Sequence, residues 1–201
     1  MKACEACAAP SKPERRNVRP PANETPMTIQ IGDSIPDATL YESTQFGDVC
    51  PLSPEKVSVA AATKGKRVVI FGLPGAYTPT CSAKHVPGYV ENADALRAKG
   101  VDEIWCISVN DGFVMAAWGR EALSLASPEA KTGSGKVRFL GDGSAELAKK
   151  LGLELDLTGA GMGMRMQRFS LFVDDGIVKQ VNVEGPGKFE VSTAETMLGQ
   201  L

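Results

Sequence analysis

The run Pro74-Gly75-Ala76-Tyr77-Thr78-Pro79-Thr80-Cys81-Ser82-Ala83-Lys84-His85 constrains this chain more than any other stretch. It carries an apolar strand through a proline-punctuated turn and delivers a cysteine where a helix begins. Before it, residues 68–73 (Val-Val-Ile-Phe-Gly-Leu) have the composition of a strand buried on both faces. Pro74 and Pro79 end the ladder and confine the turn, because proline has a fixed φ and no N–H to give. After it, Val86, Tyr89, Val90, Ala93, Leu96 and Ala98 recur at helical spacing up to Lys99-Gly100, an amphipathic helix with a glycine stop. Cys81 is therefore expected in the first helical turn, where unpaired backbone N–H groups and the positive end of the dipole favour a thiolate over a thiol. Pro87 is expected to bend this helix, since the apolar period resumes beyond it.

A chain of 201 residues with 43% apolar content can bury one good core, so one domain is expected over residues 27–201. Residues 1–26 are rich in Pro, Ala, Arg and Glu without an apolar h-region, and read as a disordered extension rather than a secretory signal or anchor. Ordered-looking sequence starts at Met27, a candidate natural start, with the preceding residues a leader or upstream reading frame. Mass spectrometry of the native N-terminus tests this. Cys4-Glu5-Ala6-Cys7 is a C-x-x-C, but a zinc site needs two more ligands and the chain has one histidine, so a tail role is preferred. A net charge of -2 with mixed signs leaves no basic stripe for nucleic acid or anionic lipid, and no apolar run approaches a membrane span. Five cysteines, at 4, 7, 50, 81 and 106, are too few and irregular for a disulfide framework, which favours a reducing compartment, the cytoplasm. Scattered ligands imply no metal, and no P-loop or G-x-G-x-x-G opens a helix, so no cofactor is implied. Gly161-Met162-Gly163-Met164 follows a loop and reads as flexible.

Beyond the opening unit the pattern runs strand, helix, strand, helix, strand, strand, helix. Residues 103–109 form a strand, and a helix starts with Phe113, Val114, Ala116, Ala117 and Trp118 after Asn110-Asp111-Gly112. Residues 124–135 are polar and breaker-rich, hence a loop. Residues 137–140 return as a strand, and 144–151 as a short helix closed by Gly152. Strands 167–173 and 177–183 flank Asp174-Asp175-Gly176, a hairpin signal. Ser192-Thr193-Ala194-Glu195 reads as a capping box opening the last helix. The fold class is α/β, one mixed central sheet with helices on both faces.

Pro74, Thr78 and Cys81 stand as P-x-x-x-T-x-x-C, which resembles the signature of the peroxiredoxins. The continuation Cys-Ser-x-Lys-His-Val-Pro-Gly-Tyr, with Ile107-Ser108-Val109-Asn110-Asp111 and Arg168-Phe169-Ser170 downstream, is similar to the type II, peroxiredoxin-five-like branch. The likeness covers residues 27–201. It implies a thioredoxin-like fold, reduction of hydrogen peroxide and alkyl hydroperoxides through a Cys81 sulfenic acid, and a part in antioxidant defence and redox homeostasis. Arg168 matches the family's active-site arginine, and a homodimer is suggested, with Tyr77 and Phe113 as contact or core residues.

The chemistry itself asks for such a set. A thiolate that attacks a peroxide oxygen displaces hydroxide or alkoxide, so the site must stabilise the sulfur first and the departing oxygen next. Thr78 is expected to place its hydroxyl beside the sulfur, and Pro74 to shield it from water. Arg168 suits the task because a guanidinium stays charged and offers several donors in one plane. His85, four residues after Cys81, either acts as a base or, the preferred reading, holds backbone or a neighbouring loop. Met162, Met164 and Met166 are either an adaptable wall for alkyl groups or packing.

A sulfenic acid must meet another thiol before further oxidation. Some type II members carry a resolving cysteine in the segment that here reads Val183-Glu184-Gly185-Pro186-Gly187-Lys188-Phe189-Glu190, and this chain has none there. Cys106 has a spacing to Cys81 seen in plant-like and bacterial members, but its mid-strand place favours burial, and a disulfide needs Cα atoms within about 7 Å. Cys50 is loop-like. The favoured cycle uses one cysteine and an external thiol: glutathione, a glutaredoxin, or thioredoxin. Two other readings remain: a peroxide-sensing thiol switch or chaperone that stops after one equivalent, and a disulfide oxidoreductase, which would want a C-x-x-C at Cys81.

Overall fold

Among the described residues nine short extended segments supply the strands: β1 (Thr39–Glu42), β2 (Glu55–Ser58), β3 (Arg67–Gly72), β4 (Glu103–Ser108), β5 (Arg138–Gly141), β6 (Glu154–Leu157), β7 (Gly163–Met166), β8 (Phe169–Asp174) and β9 (Ile177–Val183). The computed structural model describes residues 28–47, 50–126 and 137–201. The 1–26 extension, its C-x-x-C and Met27 lie outside the described residues. Seven strands join in the order β2-β1-β5-β4-β3-β8-β9, and β6 with β7 makes a separate antiparallel pair. β3, β4 and β5 are parallel, and the remaining pairings in the seven-stranded sheet are antiparallel.

Side chains alternate across a strand, so β3 sends Val68 and Ile70 to one core and Val69 and Phe71 to the other. The first core takes Trp105, Leu140 and Leu171 together with α1 (Val59–Thr63) and α5 (Glu146–Lys150). The second takes Cys106 and Phe139 with α2 (Val86–Glu91), α3 (Ala93–Ala98), α4 (Gly112–Ala126) and α6 (Ala194–Gln200). Each fully buried Ile, Leu or Phe contributes about 1.5–3 kcal/mol relative to exposure. This is the mixed sheet with helices on both faces that the sequence indicates. Among the described residues no helix is long and apolar enough to cross a membrane.

Local stops work as the residues dictate. At Gly100 the N–H reaches Arg97 O and the next N–H, of Val101, reaches Leu96 O, the paired bonds of a glycine-terminated helix. Asp175 and Gly176 both take positive φ, 47° and 76°, the conformation of a two-residue hairpin turn that matches strand twist.

Three features differ from the sequence reading. The helix begun at Gly112 continues to Ala126, past the start of the expected loop; residues 127–136 lie outside the described set. β1, β2, α1 and the β6–β7 hairpin are not announced by patterning, because each of these strands has four residues, none forming a continuous apolar run. The last helix is capped by Thr193, whose Oγ1 accepts the Thr196 N–H at 3.1 Å, and not by Ser192. Ser192 instead donates its hydroxyl to Glu184, and Glu195 accepts from Asn92, so both members of the expected box have tertiary partners.

Candidate active site

Where β3 ends, Leu73 N–H still bonds Ile107 O at 3.1 Å, and the chain then turns sharply. Ala76 N–H donates to Asn110 Oδ1 at 3.0 Å, pinning the turn to the loop after β4. Tyr77 takes φ 60°, a strained state for a non-glycine residue, costing on the order of 1–3 kcal/mol. Cys81 opens a π-helical turn, Cys81–His85, closed by Val86 N–H on Cys81 O. Regular helical bonding would need Pro87 to donate to Ala83, and proline has no N–H, so the turn ahead of it widens. The influence of Pro87 is thus felt before it. The later break in the helix falls at Asn92, between α2 and α3.

Arg168, just ahead of β8, brings its guanidinium to the sulfur. Its Nη2 donates to Cys81 Sγ at 3.3 Å and its Nη1 to His85 Nδ1 at 3.0 Å. A guanidinium only donates, so Nδ1 is the acceptor and the imidazole proton sits on Nε2, which donates to Ser192 O at 3.1 Å. Burial, and after it the Arg168 charge, pushes His85 down to about 3. His85 is therefore neutral with both nitrogens engaged, which removes it as a base and leaves the role of holding a loop and an arginine. Phe189 lies 5.6 Å below the Arg168 guanidinium carbon and 5.0 Å edge-on to His85. Tyr89, stacked on Phe71 at 4.0 Å, donates its hydroxyl to the same Ser192 carbonyl at 3.0 Å.

The other expected residues fall differently. The Thr78 hydroxyl donates to Gly75 O at 2.8 Å, so its proton is committed to the turn and not to the sulfur. Pro74 sits half-buried in the turn. Cys81 has 0% exposure, and its hydrogen-bonded link toward solvent is the half-buried Arg168. Cys106 is equally buried in β4, where burial and the neighbouring Cys81 push its thiol up. Cys50 is exposed, and no disulfide links the three described cysteines. Met166 is core, against Gly72, whereas Met164 points outward at 41% exposure. Glu184 and Phe189 are neighbours of this cluster that sequence reasoning did not single out, their segment announcing only the lack of a cysteine, and Ser192 was legible only as a helix cap. Among the described residues no group of three or more His, Cys, Asp or Glu is placed to hold a metal ion.

Comparison with known proteins bears on what this geometry serves. The Redoxin family profile matches residues 30–198. Peroxiredoxin-2B of Arabidopsis thaliana is 49% identical over 173 residues, covering 86% of this chain and 98% of that one. The chloroplastic peroxiredoxin-2E-2 of Oryza sativa subsp. japonica is 46% identical over 183 residues, 90% of this chain and 76% of its own. The crystal structure of reduced Prx3 from Vibrio vulnificus in complex with hydrogen peroxide is 44% identical, with a TM-score of 0.73 over 86% of this chain and 99% of that one. A buried cysteine at a helix start, met by an arginine from a thioredoxin-like sheet, therefore has a plain reading: this chain belongs to the Redoxin family as a type II peroxiredoxin, a thiol-dependent peroxidase of hydroperoxides.

Proposed function

We propose that Cys81 is the thiol that peroxide oxidises, with Arg168, Thr78 and Pro74 forming its surroundings and His85 aiming the arginine. The observation that carries this is the Arg168 Nη2 contact with Cys81 Sγ at 3.3 Å. The Cys81 thiolate attacks one peroxide oxygen; the S–O bond forms as the O–O bond breaks. Sulfur is oxidised to sulfenic acid, and the leaving hydroxide or alkoxide takes a proton to become water or alcohol. Arg168 holds the sulfur's charge before the step and the oxygen's charge during it. Thr78, with its proton given to Gly75 O, keeps its lone pairs for the hydroxyl of an incoming hydroperoxide. Pro74 adds no competing donor.

The cycle closes with an external thiol. Its sulfur attacks the sulfenic sulfur, water leaves, and a second thiol then frees Cys81 and carries off the disulfide. Glutathione with a glutaredoxin is the favoured reductant, and thioredoxin the alternative. The burial of Cys106 supports an external resolver, because a desolvated neutral thiol is a poor nucleophile. A homodimer is proposed through the face carrying Tyr77 and Phe113, supported by their 56% and 48% exposure. The acting unit proposed is residues 27–201 as one domain, consistent with the family match over 30–198. A reducing compartment, the cytoplasm, is proposed on the three unpaired described cysteines.

Steady-state consumption of hydroperoxide with each reductant tests the reading. Many equivalents should be consumed by the native protein and by Cys106→Ala, and none by Cys81→Ser. A native protein that stops after one equivalent would be a sensor, and loss of turnover in Cys106→Ala would restore that thiol to the cycle.

A further inference from the structure

Glu184 is a buried carboxylate whose contacts are with backbone amides and a hydroxyl rather than with a cation. At 7% exposure, its Oε1 accepts from the N–H groups of Glu190 at 2.7 Å, Val191 at 2.8 Å and Ser192 at 2.8 Å, and from the Ser192 hydroxyl at 2.9 Å. Burial works against the charge, yet the bonds from Ser192, Glu190 and Val191 hold its carboxyl below the usual carboxylate value. One oxygen thus gathers three successive amides, an anion sitting in a nest of backbone donors. Its own N–H donates to Arg168 O at 2.9 Å, so the residue is fixed directly beside the arginine's backbone.

What the gathered loop presents is the Ser192 carbonyl. That oxygen takes the His85 Nε2 proton and the Tyr89 hydroxyl. Accepting from Nε2 forces the lone pair onto Nδ1, and that lone pair receives Arg168 Nη1. The same guanidinium then has Nη2 free to meet Cys81 Sγ. The loop also carries Phe189 onto the guanidinium face. We propose that Glu184 is a positioning residue for the peroxide reaction: by gathering residues 190–192 it sets the carbonyl that orients His85, and through His85 the guanidinium that supports Cys81. This rests on the reading of Cys81 as the reacting thiol. It deepens that reading by assigning the aim of Arg168 to a residue that touches neither sulfur nor peroxide.

The test is single-turnover oxidation of the reduced protein by hydrogen peroxide, followed by tryptophan fluorescence. Trp118 reports there because its indole N–H bonds the hydroxyl of Ser82, next to Cys81, at 3.2 Å. Glu184→Ala and Glu184→Gln are each measured in the native background and in Arg168→Leu. Expected in the native background is about a tenfold loss for Glu184→Ala and about threefold for Glu184→Gln, whose carbonyl keeps a weaker acceptor for the three amides. In Arg168→Leu both losses should vanish, because no guanidinium remains to be aimed. A role confined to stability would lower the melting temperature alike in both backgrounds and leave the rates of folded protein unchanged. Equal rate losses in the two backgrounds, or none in the native one, overturn the proposal. Should Glu184→Ala not fold, the Glu184→Gln pair decides on the same criterion. A native protein that is not oxidised at Cys81 fails the peroxidase reading instead, and that is seen before any variant is made.

Discussion

Replacing Arg168 by leucine keeps an apolar stem against Phe189 and deletes the donors to Cys81 and His85. A hydrogen bond to a charged group contributes about 1.5–3 kcal/mol, and because Arg168 is half-exposed the lower part of that range applies. With about 1.4 kcal/mol per factor of ten, the oxidation rate of Cys81 by peroxide should fall by about 10- to 40-fold. The loss has a second signature in stability. His85 Nδ1 becomes a buried acceptor without its donor, costing about 1–3 kcal/mol. In a domain of this size each kcal/mol moves the melting temperature by about 2–4 °C. Stopped-flow oxidation by hydrogen peroxide and a thermal melt on the same samples give both numbers. Arg168→Lys should fall between native and Arg168→Leu, since an ammonium restores the charge without the planar fork that serves sulfur and imidazole together. Oxidation of Arg168→Leu within about twofold of native would refute the reasoning, because a difference of about 0.4 kcal/mol is too small for a charge-assisted contact.

Acid should reveal His85. Its folded value of about 3 lies below the ordinary 6.5, so the unfolded chain takes up a proton that the fold refuses. The contribution is complete above about pH 6.5 and is lost as pH falls toward 3, at about 1.4 kcal/mol per pH unit. Denaturant unfolding at pH 7.5 and pH 5 should show about 2 kcal/mol more loss in the native protein than in His85→Asn, and parallel profiles would contradict this. Gly72→Ala should destabilise by about 1–3 kcal/mol, because its Cβ would stand 2.1 Å from the Phe169 ring and 2.7 Å from Met166 Sδ. It should also slow Cys81 oxidation, since Phe169 adjoins Arg168; an unchanged rate with a lowered melting temperature would separate the two effects.

Local signals were legible and distant ones were not, for a physical reason that particular residues make plain. Residues 68–73, the Gly100 stop and the Asp175-Gly176 turn are settled within a few residues by burial and φ, and the chain adopts them. Ser192 and Glu195 match a capping box and Thr193, with Thr196 three residues on, does not, but Glu184 and Asn92 outcompete the helix end for the first pair. Thr78 stands at the offset that suits the sulfur, while the nearest acceptor for its proton is Gly75 O. Periodicity says nothing about such competition, because the rival partner is supplied by the tertiary fold. Cys81 and Arg168 were legible as types of residue at motif positions. That His85 joins them, and that Glu184 stands behind His85, depends on contacts bridging 83 and 107 residues.

Strand register explains why those contacts meet. β3 and β8 pair with Gly72 opposite Phe169, and β8 and β9 pair with Phe169 opposite Val183. The end of β3, the start of β8 and the end of β9 therefore lie side by side at one edge of the sheet. The next residues out are Leu73, which leads into the cysteine turn, Arg168, and Glu184. A slip of one residue would turn Phe169 and Leu171 from one core to the other face and take Arg168 out of line with the turn, so hydrophobic burial itself enforces the aim of the guanidinium. Gly72 permits it: only a residue without a side chain leaves room for the Phe169 ring where these three strands end. The charge that supports Cys81 is thus placed by the packing of apolar residues that never touch it.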